Sequence, residues 1–121
     1  MSDGVLTGMR VLVVEDEMLV SMLLEDMLAD FGCDIIGPAA SIAEALPLAT
    51  DAQIDVAVLD MNLGGQPVFP IADALKARGV PYIFASGYGQ SGLSDDHRGA
   101  PLLQKPFRQA DLEKALNSLR G

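Results

Sequence analysis

A chain of 121 residues, half of them hydrophobic and about a fifth charged, suffices for one domain with a real core and is too apolar for a disordered tail. Its 17 acidic and 8 basic residues leave a net charge of −9, which repels phosphate backbones and anionic lipid, so neither nucleic acid nor a membrane surface is an expected partner. No apolar run approaches the roughly 18 residues of a membrane span, MSDGVLTGMR has no signal-peptide core, and Cys33 stands alone as a reduced core thiol, all of which predicts a cytoplasmic protein.

The elements alternate along the chain. RVLVV (10–14) is β-branched and continuous, as a strand covered on both faces must be. From Glu17 to Phe31 the period turns helical, with Val20, Leu23, Leu24, Met27, Leu28 and Phe31 on one arc and Gly32 as the stop. CDIIGPA (33–39) reads as a second strand. Ser41 and Glu44 form a capping box for a second helix, which Pro47 should kink or shorten. IDVAVLD (54–60) is the third strand, and GQPVFPIADALKARG (65–79) leads into a helix from about Pro70 that Gly79 stops. PYIFAS and APLLQ supply strands four and five. Leu112, Ala115, Leu116 and Leu119 mark a last helix.

This alternation predicts an α/β fold, a doubly wound five-stranded parallel sheet covered by helices on both sides. Between strands four and five, GYGQSGLSDDHRG (87–99) has four glycines and no apolar stripe. Each glycine lowers helix stability by roughly 1 kcal/mol relative to alanine, so the fourth helix is expected to be weak or short. No linker and no internal repeat divides the chain, which reads as a single domain over 1–121 without an output domain.

In an open parallel sheet, ligands bind beyond the carboxyl ends of the strands. Those ends carry Glu15, Asp16 and Glu17 after strand one, Asp60 at the end of strand three, Ser86 at the end of strand four and Lys105 after strand five. Any one of these has an ordinary explanation, such as a solvated helix opening, a turn former or a surface amine. Together they place several carboxylates, a hydroxyl and an amine on one edge. Carboxylates crowded in this way call for a cation, and an all-oxygen set suits a hard ion such as Mg²⁺.

Four spaced motifs, VLVVEDE, VLDMNLGG, FASG and LQKPF, resemble those of bacterial response-regulator receiver domains, over nearly all of residues 9–120. The resemblance implies a flavodoxin-like receiver fold and a two-component phosphorelay. In such a relay Asp60 takes a phosphoryl group from a sensor histidine kinase, and Asp60, Ser86 and Lys105 form the catalytic set. It further implies Mg²⁺ held by Asp16 directly, Glu15 through water, Asp60, and Asn62 through its backbone carbonyl, with Lys105–Pro106 joined by a cis bond. PYIFASGYG is similar to the receiver subgroup marked by Phe-Ala-Thr-Gly-Tyr, with Ser for Thr. Gly87 would leave room for the phosphoryl group, and Gly87, Tyr88 and Pro106 would act as switch positions, with 87–99 becoming ordered on phosphorylation. A downstream protein or a histidine phosphotransferase would take the signal.

There are departures from the family pattern. Gly64 stands where many receivers carry proline, Leu102 where many carry a switching aromatic, and Glu15 in place of the commoner aspartate. Two rival readings differ in class. A receiver-like interaction module independent of phosphorylation would not need the intact set of Asp16, Asp60, Ser86 and Lys105. A flavin or nucleotide binder would need a Gly/Ser/Thr-rich phosphate cradle after strand one, where EDE would repel phosphate.

Overall fold

A computed structural model describes residues 6–86, 100–105 and 107–120, apart from the side chains of Asn62 and Arg120. The strands are β1 (Arg10–Val14), β2 (Asp34–Ala39), β3 (Val56–Asp60), β4 (Asn62–Leu63), β5 (Gln66–Pro67), β6 (Tyr82–Ser86) and β7 (Leu102–Gln104). The helices are α1 (Met18–Asp30), α2 (Ile42–Asp51), α3 (Phe69–Ala77) and α4 (Gln109–Arg120). Five strands form one sheet in the order β2-β1-β3-β6-β7, and every pairing within it is parallel. The chain runs from β1 outward to the β2 edge and returns to β3 on the other side of β1. The boundary between β1 and β3 is therefore the point where strand order reverses, and their carboxyl ends open onto a crevice.

The unbroken apolar strands are explained by two cores. Val11, Val13, Val56 and Val58 face one layer with Leu24, Leu28, Leu112 and Leu116, and Leu12, Val14, Ala57 and Leu59 face the other with Ala45, Ala49, Ile71 and Leu75. Side chains alternate along a strand, so a sheet covered on both sides has no polar position to spare.

Local signals mostly place the helices. Ser41 Oγ accepts the Glu44 N–H at 3.2 Å, as a capping box requires, while the Glu44 carboxylate accepts the N–H of Ala40 instead of Ser41. The α2 helix continues a full turn past Pro47 to Asp51, so proline does not end it. Its C-terminal carbonyls are taken up from outside: Arg78 donates to Ala49 O at 2.6 Å and to Ala52 O at 2.8 Å. The arc expected for the first helix needs one correction. Leu23 is exposed, and Ser21 lies buried in line with Leu24 and Leu28, because the buried stripe follows 21, 24 and 28. Cys33 is a buried free thiol, and its Sγ lies 3.5 Å from Leu6 O.

The short β4–β5 hairpin was not foreseen. Leu63 pairs with Gln66, and Gly64 and Gly65 form the turn with φ of +57° and +87°. Two successive residues at positive φ are what a type I′ hairpin demands, and a Gly-Gly pair between short extended segments is its sequence signal.

Candidate functional site

The carboxyl ends of β1 and β3 bring the acids together. Glu15, Asp16, Glu17 and Asp60 each offer a carboxylate oxygen, and these oxygens all lie within 4.8 Å of one another. Glu15 and Asp60 are buried, while Asp16 and Glu17 are exposed. Lys105 reaches into the group from the end of β7, its Nζ 2.9 Å from Glu15 Oε1 and 3.5 Å from both Glu17 Oε1 and Asp60 Oδ2. Three of the four carboxyl groups thus share the Lys105 ammonium.

The backbone around the crevice fixes these groups. Parallel pairing aligns Asp60 with Ala85, and the Met61 N–H bonds to Ala85 O at 3.1 Å, which sets the depth of Asp60. Ser86 is buried at the end of β6, and its carbonyl accepts the Lys105 N–H at 2.8 Å, so the hydroxyl strand and the lysine strand are in register. Glu15 Oε2 accepts the Glu17 N–H at 3.1 Å. Asp16 Oδ2 accepts the Gly64 N–H at 2.8 Å, reaching across to the hairpin.

The electrostatics follow from these contacts. For Asp16 burial acts upward, but the Gly64 N–H and hydrogen bonds with Asp60 and Glu15 outweigh it, leaving the carboxyl below its ordinary pKa. For Lys105 burial acts downward, but the Glu15 hydrogen bond and the charges of Asp60, Glu15 and Glu17 outweigh it, raising its pKa. Both groups are therefore fully charged at neutral pH.

The structure brings together Glu15, Asp16, Asp60 and Lys105, and Ser86 ends the neighbouring strand. Asn62 opens β4 two residues past Asp60, with its backbone described and its side chain not. Gly87, Tyr88, Pro106, the Lys105–Pro106 bond and the segment 87–99 lie outside the described residues. Leu102 lies half-buried on β7 against the Phe84 layer. Sequence reasoning missed the Gly64 N–H as a contributor. Its one trace was a glycine where the family pattern favours proline, which has no N–H to give.

A sequence model of the response regulator receiver domain matches residues 11–117. The chain belongs to the response-regulator receiver family. Among curated relatives, this receiver is 31% identical over 112 residues to the phyllosphere-induced regulator PhyR of Methylorubrum extorquens, an alignment covering 89% of this chain and 42% of PhyR. The chain spans about half the length of the curated relatives it matches. Among solved structures, SdrG from Sphingomonas melonis Fr1 is similar with a TM-score of 0.84 and 39% identity, over the whole of both chains. The receiver domain of the sensor histidine kinase PA1611 from Pseudomonas aeruginosa, solved with a magnesium ion in its active-site cleft, has a TM-score of 0.80 at 24% identity. That alignment covers 93% of this chain and 97% of the other and speaks for the fold. The two-sided five-stranded sheet expected from the sequence is the receiver fold. Among the described residues, no helix is long and apolar enough to cross a membrane.

Proposed function

We propose that this receiver is a stand-alone cytoplasmic response regulator of a two-component phosphorelay, phosphorylated on Asp60 by a sensor histidine kinase. The observation that carries the reading is the cluster of four carboxyl groups, three of them paired with Lys105, with Asp60 buried among them. A buried carboxylate with Lys105 at 3.5 Å is a nucleophile placed beside a group that stabilises charge on transferring oxygens. In the step proposed, an Asp60 oxygen attacks phosphorus, the bond from phosphorus to the kinase imidazole nitrogen breaks, and the nitrogen leaves with the bonding pair. The product is an acyl phosphate. Lys105 and the Ser86 hydroxyl would meet the phosphoryl oxygens.

The donor set fits Mg²⁺: it is all oxygen, its acids outnumber the one lysine paired with them, and it includes exposed members that leave room for water. Asp16 and Asp60 would bind the ion, with the Asn62 carbonyl, and Glu15 would act through water. The ion would supply charge neutralisation during transfer. The chain would catalyse only its own phosphorylation and dephosphorylation, and would signal through a downstream protein or a histidine phosphotransferase. The Phe-Ala-Thr-Gly-Tyr subgroup is proposed on the FASGY residues alone.

A docking face for the kinase is proposed beside the site. Met18, Leu19, Met22 and Leu23 of α1 are 76%, 81%, 52% and 49% exposed, an apolar patch bordering the acids. Hollows of about 320 Å³, lined by Leu23 and Lys105 among others, and about 200 Å³, lined by Met18 and Asp16 among others, flank it. Polar substitution of Met18 and Met22 should slow transfer from the kinase and leave labelling by acetyl phosphate unchanged. Equal loss in both would remove the docking role.

The central test is intact-mass measurement after acetyl phosphate and Mg²⁺. The wild-type chain should gain about 80 Da, the mass an acyl phosphate adds, and Asp60→Asn should gain nothing. Full labelling of the Asn variant would refute the assignment. No labelling of the wild type by acetyl phosphate or by any kinase would favour the phosphorylation-independent module.

A further inference from the structure

The acid cluster has a support that comes from 48 positions away in sequence, the Gly64 N–H that bonds Asp16 Oδ2 at 2.8 Å. The donor sits at the exposed tip of the β4–β5 hairpin, and the hairpin is anchored at its base. Leu63 is buried in the core, and the Val68 N–H closes the base on Met61 O at 3.0 Å with Val68 fully buried behind it. Met61 is itself tied to β6 through Ala85 O. The base is therefore held independently of the loop after β1, while the tip meets that loop through Asp16.

Asp16 is in the opposite situation. It lies exposed on the loop between β1 and α1, where an unrestrained carboxylate would rotate freely. The Gly64 N–H on Oδ2 restricts that rotation, beside the contacts Asp16 makes with Asp60 and Glu15. A carboxylate already oriented loses less freedom when a cation arrives, which is how an outer hydrogen bond raises metal affinity.

We infer that the Gly64 N–H is a positioning group for the cation site: the hairpin holds Asp16 in its binding orientation, and cation binding in turn holds the hairpin. This rests on the reading of the acid cluster as a Mg²⁺ site. The reciprocity is thermodynamic, since a hairpin that tightens the cation is tightened by it through the same factor. The role also explains why residue 64 must combine a donor with a φ of +57°. Proline can provide neither, and asparagine can provide both.

The test uses the full chain and Mn²⁺, a paramagnetic stand-in for Mg²⁺ read by electron paramagnetic resonance. Glycolic acid in place of Gly64 turns the amide into an ester and deletes the N–H without adding an atom to the side chain. That chain should bind Mn²⁺ roughly tenfold more weakly, the usual cost of losing an outer-shell partner. The same ester at Gly65, and separately Gly64→Asn, should stay close to wild type. In the unmodified protein, added Mg²⁺ should slow hydrogen exchange at the Gly64 amide. Equal Mn²⁺ affinity in the Gly64 ester and a tightly binding wild type would overturn the inference while sparing the metal site. A wild type that binds no Mn²⁺ would overturn both. Should the ester fail to fold, exchange at Gly64 decides, and a rate indifferent to Mg²⁺ overturns the coupling.

Discussion

The two ends of the central sheet both carry carboxylates, and they treat them in opposite ways. At the amino end Asp55 accepts the Arg10 N–H at 2.7 Å and faces the Arg10 Nε at 3.4 Å, while the guanidinium also reaches Gln53. One acid meets one base and one backbone donor, and the group is locally complete. At the carboxyl end four carboxyl groups gather and three of them lie within 3.5 Å of the Lys105 Nζ, so the acids outnumber their one base among the described residues. The first arrangement closes the start of a strand. The second crowds like charges together, which costs stability unless a cation or a phosphoryl transfer uses the crowding.

The largest expected effect tests that contrast directly. Mg²⁺ should stabilise the fold through the carboxyl end alone, and a ligand at 100 times its dissociation constant contributes about 2.7 kcal/mol. Asp16→Asn should remove most of the gain, and Asp55→Asn should keep all of it. A melting temperature that responds equally in the two variants would erase the distinction between the ends.

A somewhat smaller effect concerns the crowding itself. In metal-free buffer, Asp60→Asn relieves one of the four charges and should raise stability by about 1 kcal/mol, in the range found when charge at a functional site is relieved. Lys105→Met should lower it, since the acids then lose their shared countercharge. If Asp60→Asn is destabilising without metal, the carboxyl end is not a store of unfavourable charge.

Much of this was open to sequence reasoning because its causes are local. Apolar runs, a capping box and glycine stops mark strands and helices through short-range rules, and an acid directly after such a strand must lie at its carboxyl end. The convergence of Glu15, Asp16, Asp60 and Lys105 follows from parallel topology. What sequence could not give are contacts made by backbone atoms or across elements. Gly64 acts through an N–H that nearly every residue possesses, and Arg78 caps α2 from the end of α3. The exposure of Leu23 is not legible in the sequence because a leucine on a helix fits either a wide or a narrow apolar stripe. The Gly-Gly hairpin signal, by contrast, is legible in the sequence as Gly64-Gly65 between short extended segments.

At the amino end, Asp55→Ala should lower stability by about 1 kcal/mol. An exposed ion pair contributes less than that by itself, and the remainder is the Arg10 N–H left without its acceptor at the start of β1. Labelling by acetyl phosphate should not change. Lost labelling in a folded Asp55→Ala chain would mean that the two ends communicate.

The smallest effect is a pH dependence that separates the ends by sign. The Arg10 N–H, set against burial acting upward and helped by the Arg10 side chain, holds Asp55 below the ordinary 3.8. An acid with a lowered folded pKa contributes stability above its unfolded value and loses it as pH falls through the folded one. Asp16 is lowered as well, so both ends weaken on the acid side, below about pH 4. Lys105 is raised by its acids, so its contribution is complete below the ordinary lysine value near 10.4 and fades as pH climbs through the folded pKa. Of Asp55 and Lys105, only Lys105 at the carboxyl end therefore brings an alkaline loss, and the Cys33 thiol, raised by burial and the Asp34 charge, adds a separate one that neither variant alters. Urea unfolding across pH 3–5 should show Asp55→Asn flattening the acid limb by roughly a few tenths of a kcal/mol, the scale left after solvent screening of an exposed pair. The same variant should leave the limb above pH 10 untouched, whereas Lys105→Met should flatten it. An alkaline limb that follows Asp55 instead would place the coupling at the wrong end of the sheet.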